Sequence, residues 1–163
     1  MITGTQVILL KGDKILIAKR APFKKLLPNH WNFIGGKVEK ENGELLLDGA
    51  IREVKEETGL KLEKGSLHPS GYKKAKWSEE ADPFHCYSYI ADISDLDQEV
   101  KLNPEHTEYR FVTLEELKDY DIAGYSYSEI EEMIRRFEST RSFLNTVQDN
   151  LLKKSMQAAA KSK

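Results

Sequence analysis

The sequence predicts an α+β domain in which a β-sheet packs between α-helices. Short apolar and aromatic runs of strand length recur from residue 3 to residue 112, and glycine or proline stands between several of them. Two longer segments have helical spacing, one in the middle of the chain and one at its C-terminal end. The chain has 163 residues, of which 39% are hydrophobic, so we expect one domain with its own core.

Six runs have the length and composition of β-strands. They are residues 3–10, 14–18, 31–34, 72–77, 84–93 and 108–112. Residues 11–13 are Lys-Gly-Asp and join the first two runs, which predicts a β-hairpin. Residues 21–30 contain two prolines and are predicted to form a loop before the third run, which leads directly into Gly35 and Gly36.

Three helical segments are expected. The first extends from about residue 44 to residue 58 and ends at Gly59 as its C-terminal cap. The side that packs on the core comprises Leu47, Ala50, Ile51 and Val54. A short helix follows Thr113 as its N-terminal cap, and beyond Ser128 the apolar spacing predicts one long helix or two helices broken near Ser139.

The first helix carries the most informative cluster of the chain. Glu53, Glu56 and Glu57 stand at positions i, i+3 and i+4, which share one face of a helix, and the expected apolar side lies opposite. Hard cations such as Mg²⁺ prefer carboxylate oxygens and are often shared with substrate phosphates. The plain alternative is a solvated charged face, because glutamate is a good residue for a helix surface.

Two further residues of this helix bear on the choice. Arg52 lies between the acidic and apolar faces, where Asp48 or Glu44 could orient its guanidinium group. Gly49 lies on the acidic side, and a glycine inside a helix costs about 1 kcal/mol relative to alanine. Close approach by a ligand or by another part of the backbone would explain why a glycine stands there.

These residues resemble the signature of the Nudix hydrolase family, a glycine, five residues, a glutamate, seven residues and then R-E-U-x-E-E-x-G-U, with U aliphatic. Glu44 is followed by seven residues and then by R-E-V-K-E-E-T-G-L over 52–60, which fits every fixed position of that part. Seven residues instead of five separate Gly36 from Glu44, so the loop that enters the helix is two residues longer than in the family pattern. The resemblance covers about residues 1–137 and implies a mixed sheet between helices.

The resemblance also implies roles for individual residues. Glu53, Glu56 and Glu57 would bind catalytic Mg²⁺, for which Mn²⁺ is a possible substitute, and the Gly36 carbonyl would add a ligand. Arg52 and Glu44 would pair and hold the helix in orientation. The implied reaction is attack of water on a phosphorus of a nucleoside diphosphate linked to another group. Lys37 and Lys55 are candidates for contacts with its phosphates.

A second acidic pair lies in the segment 103–117, which is similar to a later strand of the family and the loop before it. Glu105 and Glu108 are candidates for a further metal ligand or for the general base. We favour Glu105, because it is expected in the loop. The alternative is that both are ordinary polar residues at a strand edge. His106 is left out of the catalytic set, because an isolated histidine beside a turn is more often structural.

The sequence says less about the substrate. Trp77 and Phe23 are the candidates for stacking against a base, although most aromatic residues at strand spacing belong to a core. A nucleoside triphosphate pyrophosphohydrolase, similar to MutT, is our first choice. Dinucleoside polyphosphates, the 5′ end of RNA and a Nudix-fold module that binds a nucleotide without hydrolysing it remain alternatives.

Charge and composition limit the partners. The net charge is −2, with 25 basic and 27 acidic residues, so no broad basic field indicates nucleic-acid binding. The single Cys86 excludes an internal disulfide, and no apolar segment of membrane length is present, so we expect a cytoplasmic protein without a membrane partner. We divide the chain into a catalytic domain, 1–137, and a helical extension with a frayed tail, 138–163, through which the protein could form a homodimer.

Overall fold

The computed structural model describes residues 1–76 and 79–162. Within this part of the chain, seven strands form one sheet and two α-helices pack on it. The strands are β1 (Ile2–Lys11), β2 (Lys14–Arg20), β3 (Trp31–Asn32), β4 (Ile34–Lys37), β5 (His68–Ala75), β6 (Phe84–Asp92) and β7 (His106–Thr113). The helices are α1 (Leu46–Thr58) and α2 (Tyr127–Lys161).

The sheet is mixed, as the family resemblance implies. Its main order is β3-β2-β1-β6-β5, with β4 paired to β1 and β7 paired to β2. β1 and β6 run parallel, and the other pairs are antiparallel. The expected hairpin is present, with Lys11 paired to Lys14. The expected strand 31–34 is instead divided into β3 and β4, because β3 pairs with β2 while β4 pairs with β1.

A hydrophobic core lies on each face of the sheet. In β1, Val7 and Leu9 point to the face covered by α1, whereas Ile8 points to the opposite face. Ala50 of α1 packs on the first face, and Ile130 of α2 packs on the second. The alternation follows from the two-residue period of a strand. The predicted sandwich of a sheet between helices is therefore confirmed.

The helix ends follow from local chemistry. α1 ends at Gly59, whose φ of 75° is left-handed and whose N–H donates to the Lys55 carbonyl. The short helix expected after Thr113 is a 3₁₀ turn, Glu116–Asp119, and the Thr113 hydroxyl accepts from the Glu116 N–H at 3.2 Å. α2 begins at a capping box, in which the side chains of Ser126 and Glu129 each bond the other's backbone N–H.

α2 is one long helix of 35 residues, with no break near Ser139. Only its first part packs on the sheet, where Ile130 and Met133 are buried. The division of the chain at residue 137 falls inside this helix and stays a prediction. In the described residues, no helix combines the length and the apolar character needed to cross a membrane.

Candidate active site

One pocket of about 660 Å³ collects most of the predicted site residues. It lies where the end of β4 meets α1, because Gly35 and Gly36 leave room for side chains of the helix to reach the strand. Added to Gly36, a Cβ atom would come within 2.4 Å of the Glu53 carboxyl carbon. Added to Gly35, it would come within 2.1 Å of the Thr5 carbonyl oxygen of β1. At Gly35 the conflict is with backbone, so packing requires glycine there, whereas at Gly36 it is with the end of the Glu53 side chain, which can move.

The three glutamates of α1 have different environments. Glu53 and Glu57 are only 8% and 4% exposed, whereas the Glu56 side chain is 51% exposed. All three line the pocket and none belongs to the hydrophobic core, as expected, but two of them are covered and not solvated. Their side of the helix faces the end of β4, which covers Glu53 and Glu57 but does not reach Glu56.

Burial changes the protonation of the two covered carboxylates. It raises the pKa of Glu57 well above its ordinary value, and the neighbouring charge of Glu53 raises it further. A single backbone N–H, that of Gly35 at 3.3 Å, donates to the Glu57 carboxylate. Burial also raises the pKa of Glu53, against the opposing effect of Arg52. Without a cation, both carboxylates are costly to keep ionised.

Arg52 connects the helix to the loop before it. Its Nε and Nη2 atoms donate to the two carboxylate oxygens of Glu44 at 2.7 and 3.0 Å, a bidentate pair. Nη2 also donates to the Lys37 carbonyl, and Nη1 donates to Glu53 at 2.7 Å and to Glu56 at 3.1 Å. Of the two acidic partners considered for Arg52, Glu44 is the one in contact, whereas Asp48 pairs with Lys64. The pairing lowers the pKa of Glu44.

The position of the Glu44 side chain, which Arg52 holds, also explains the glycine at position 49. Added to Gly49, a Cβ atom would lie 3.0 Å from a Glu44 carboxylate oxygen and 3.2 Å from a methyl carbon of Val38. The close approach expected at this glycine is therefore made by side chains of the preceding loop.

The acidic cluster fits a divalent cation in its chemistry. Among the described residues, no three His, Cys, Asp or Glu side chains converge closely enough to bind a metal ion in their present positions. In these positions, Arg52 Nη1 donates to the carboxylates of both Glu53 and Glu56. Glu53 and Glu57 nevertheless provide two buried hard oxygen donors with few hydrogen bonds, the kind of group that Mg²⁺ stabilises.

A histidine that sequence reasoning set aside is part of this cluster. His106 is buried, and its Nε2 lies 3.0 Å from the Asn32 side-chain oxygen, to which the tautomer protonated at Nε2 donates. Its Nδ1 atom has no hydrogen-bond partner and faces a Glu57 oxygen at 3.8 Å. Burial lowers the pKa of His106 to about 4, so the ring is neutral. When Glu57 is ionised, two acceptors face each other, an arrangement that a cation on Glu57 would relieve.

The two later glutamates are separated. Glu105 lines the pocket, where Lys24 donates to it at 2.6 Å and Asn103 at 3.3 Å. The hydrogen bond from Lys24 lowers the pKa of Glu105. Glu108 does not line this pocket and instead pairs with Arg110 on the exposed side of β7. The structure therefore brings Glu105 to the cluster and leaves Glu108 outside it.

The predicted substrate contacts are less complete. Lys37 lines the pocket, with its ammonium group 3.5 Å from Glu41. Phe23 does not line it and is 68% exposed, so it is not placed to stack on a ligand there. Trp77 lies outside the described residues.

The pocket has an apolar end that the sequence did not indicate. Three side chains from distant parts of the chain form it, Ile2, Phe84 and Tyr125. The Tyr125 hydroxyl lies 2.5 Å from that of Ser88, a contact that fixes the ring. Arg20 and Lys24 add positive charge on the other side of the acidic cluster. The pocket thus offers apolar, cationic and anionic surface to one ligand.

Comparisons with known proteins identify relatives of the chain. It is 48% identical over 65 residues to human m7GpppN-mRNA hydrolase NUDT17, which covers 39% of this chain and 19% of that protein. It is 30% identical over 88 residues to the mouse asymmetrical bis(5′-nucleosyl)-tetraphosphatase, which covers 54% of this chain and 58% of that protein. The first match therefore spans about one fifth of the human protein's length, and the second spans somewhat over half of the mouse protein's length.

A longer match is with the RNA pyrophosphohydrolase of Pelagibacter ubique, 27% identical over 144 residues, which cover 79% of this chain and 87% of that protein. Among solved structures, the MutT protein of Methanosarcina mazei Go1 shares the fold with a TM-score of 0.65. The two are 23% identical over 83% of this chain and 94% of that one.

The family is shown by a match that covers most of the chain. The profile of the NUDIX domain matches residues 3–136, a range that contains α1, the pocket and the loop with Glu105. The chain therefore belongs to the Nudix family.

Proposed function

We propose that the protein is a hydrolase of a nucleoside diphosphate linked to another group, and that it depends on Mg²⁺ or, in its place, Mn²⁺. The observation that carries this proposal is that one pocket combines three kinds of surface. One end is apolar and suits a base, cationic groups at its side suit phosphates, and the buried carboxylates suit a divalent cation. A cytoplasmic location stays a prediction.

The metal would be held by Glu53, Glu56 and Glu57, with the Gly36 carbonyl as a further ligand, while Glu105, the other candidate ligand, is assigned a different role below. When bound, it supplies charge neutralisation on the diphosphate and favours deprotonation of a water molecule. Arg52 contributes by orientation, since its bonds to Glu44 and to the Lys37 carbonyl fix the start of α1 against the end of β4. Lys37 and Arg20 would bind phosphate oxygens.

We assign the general base to Glu105 and not to Glu108. Glu105 lines the pocket, where its ionised carboxylate can accept a proton from a water molecule. Glu108 lies outside the pocket in an ion pair with Arg110. This pair of residues provides a matched test, because the same change can be made at both positions.

For the substrate we propose a nucleoside triphosphate, cleaved to the monophosphate and pyrophosphate. A pocket of about 660 Å³ is in the range that holds one small ligand. Dinucleoside polyphosphates and the 5′ end of RNA are the alternatives, and the names of the mouse and Pelagibacter relatives favour testing both. A non-catalytic nucleotide-binding module is the least favoured, because all three glutamates of the helix signature are present.

The test is turnover of a substrate panel in Mg²⁺ and in Mn²⁺. The panel contains ribo- and deoxyribonucleoside triphosphates, ADP-ribose, dinucleoside polyphosphates and 5′-triphosphate RNA, and chromatography identifies the products. Glu105→Gln should lower kcat by about 10²–10⁴-fold on the substrate that is used, whereas Glu108→Gln should leave it within a factor of two or three. Nucleotide binding without turnover of any panel member would refute the hydrolase and favour the binding module.

A further inference from the structure

The apolar end of the pocket lies beside a polar side chain that the proposed reaction leaves unused. Gln6 lines the pocket from β1. Within residues 1–76 and 79–162, its side-chain amide takes part in no hydrogen bond. An amide group carries two N–H donors and a carbonyl oxygen that accepts, so both kinds of group are available to a ligand in the pocket.

Strand pairing places Gln6 on a defined face of the sheet. It pairs with Gly35 of β4 on one side and with Ser88 of β6 on the other. Because successive side chains of a strand alternate between faces, Gln6 lies on the same face as Ile8, which is the face covered by α2. Gly35 has no side chain, so β4 leaves space beside the amide.

Two aromatic rings flank Gln6 on this face. Gly4 stands two positions before it, and the Phe84 ring lies over Gly4, since a Cβ atom added there would come within 2.4 Å of the Phe84 Cζ atom. Tyr125 lies on the other side, with its hydroxyl 2.5 Å from that of Ser88, the residue paired with Gln6. Aromatic rings stack favourably on nucleobases. A base that stacks on either ring would therefore turn an edge toward the Gln6 amide.

The ammonium group of Lys73 also lines the pocket, but it is already paired. It donates to the Gly124 carbonyl at 2.8 Å and to the two carboxylate oxygens of Glu129 at 3.0 and 3.1 Å. It also lies 5.3 Å from the centre of the Tyr125 ring. Since an ammonium group has three donors, these contacts leave Lys73 without one for a base.

The two side chains suit different bases. On the edge that carries N7, guanine presents two acceptors, which pair with lysine or arginine. On the same edge, adenine presents an acceptor beside an amino donor, which pairs with glutamine or asparagine. Because Lys73 is engaged and Gln6 is available, this end of the pocket suits adenine better than guanine.

We propose that Gln6 is a specificity-determining residue that reads adenine, an assignment that rests on the proposed function. Its side-chain N–H donates to N7 of the base and its oxygen accepts from the 6-amino group, while Phe84 and Tyr125 stack on the ring. ATP or dATP is then the preferred nucleoside triphosphate. The plain alternative is a solvated amide at the pocket wall, whose replacement would leave the base preference unchanged.

Kinetics with nucleotides that differ only in the base test this assignment. ATP should exceed GTP, CTP and UTP in kcat/KM by about 5- to 150-fold, the discrimination expected from one bidentate pair. 7-Deaza-ATP, in which a carbon replaces N7, should lose much of that advantage. Gln6→Leu removes the amide at similar size and should bring ATP and 7-deaza-ATP to equal kcat/KM. Gln157→Leu is the matched control, because Gln157 is exposed near the end of α2 and does not line the pocket, and it should keep the ratio of the unaltered protein. Thermal unfolding would establish that both variants fold.

Binding measurements separate the adenine site from the proposed hydrolysis. Calorimetric titration of Glu105→Gln with ATP and with 7-deaza-ATP in Mg²⁺ should give the same preference as an affinity ratio. ATP binding that depends on Gln6, without hydrolysis by the unaltered protein, would support the adenine site and refute the hydrolase. Hydrolysis with equal kcat/KM for ATP and 7-deaza-ATP, or with a base preference that Gln6→Leu leaves unchanged, would overturn the adenine site and leave the hydrolase intact.

Discussion

Replacing Glu57 by glutamine is predicted to stabilise the protein when no divalent cation is present. The change keeps the shape of the side chain and removes its charge. Glu57 is 4% exposed, and its carboxylate accepts one hydrogen bond, from the Gly35 N–H at 3.3 Å. A glutamine oxygen can accept the same bond, and its N–H can donate to the neighbouring Glu53 carboxylate.

The magnitude follows from the missing hydrogen bonds. An ionised carboxylate can accept about four, and a buried charged group that lacks them costs about 1–3 kcal/mol or more. Glu57→Gln should therefore raise the free energy of unfolding by about 1–3 kcal/mol, and the Tm by about 2–4 °C for each kcal/mol. The same variant should lose hydrolysis if Glu57 binds the cation as we propose.

The assay is thermal unfolding at neutral pH with a chelator and then with excess Mg²⁺ or Mn²⁺. The cation should raise the Tm of the unaltered protein, because it binds only the folded state, and should raise that of Glu57→Gln much less. Glu56→Gln is the matched control, and because Glu56 is 51% exposed, its stability should change by less than about 0.5 kcal/mol. A Glu57→Gln protein that is less stable than the unaltered one in the chelator would refute this reasoning.

Three other predictions concern the same site. In a chelator, the free energy of unfolding should fall as the pH rises above about 4.5. The pKa values of Glu53 and Glu57 are raised in the folded protein, so these residues hold protons that the unfolded chain has released. Urea titrations at several pH values measure this dependence, and saturating Mg²⁺ should flatten it. Gly36→Ala should displace the flexible Glu53 carboxylate and abolish turnover, with a modest loss of Tm. Gly35→Ala would clash with the Thr5 backbone and should lower the Tm strongly or prevent folding. Thermal unfolding and activity assays of both variants separate the two effects. Arg52→Lys loses the bidentate pair and should cost about 1.5–3 kcal/mol, measured by denaturant unfolding, and an unchanged stability would argue against its bracing role.

Much of the fold could be predicted because it is recorded in local patterns. The alternation in β1 places Ile8 and Leu9 on opposite faces whatever the rest of the chain does. The end of α1 at Gly59 depends on a single left-handed residue. The identity of the acidic helix was equally accessible, because the spacing of its glutamates is fixed by the helix itself.

The rest of the site depends on contacts between distant segments. His106 lies 74 positions from Asn32, and nothing in its local sequence shows that its ring is buried beside Glu57. The burial of Glu53 depends on Gly36 at the end of β4, a contact that helical periodicity alone does not reveal. Tyr125 reaches the apolar end of the pocket only because the chain returns over β6 before α2.

The longer loop before α1 shows how the fold absorbs a departure from the family pattern. Residues 40–42 form a 3₁₀ turn that ends at Gly43, whose φ of 76° lets the chain reverse. The Glu39 N–H then donates to the Glu44 carboxylate at 2.7 Å, which fixes that side chain from the loop side. Glu44 therefore meets Arg52 in a bidentate pair despite the two additional residues. Because Arg52 also bonds the Lys37 carbonyl, α1 is held against the end of β4, the strand end that would complete the metal site.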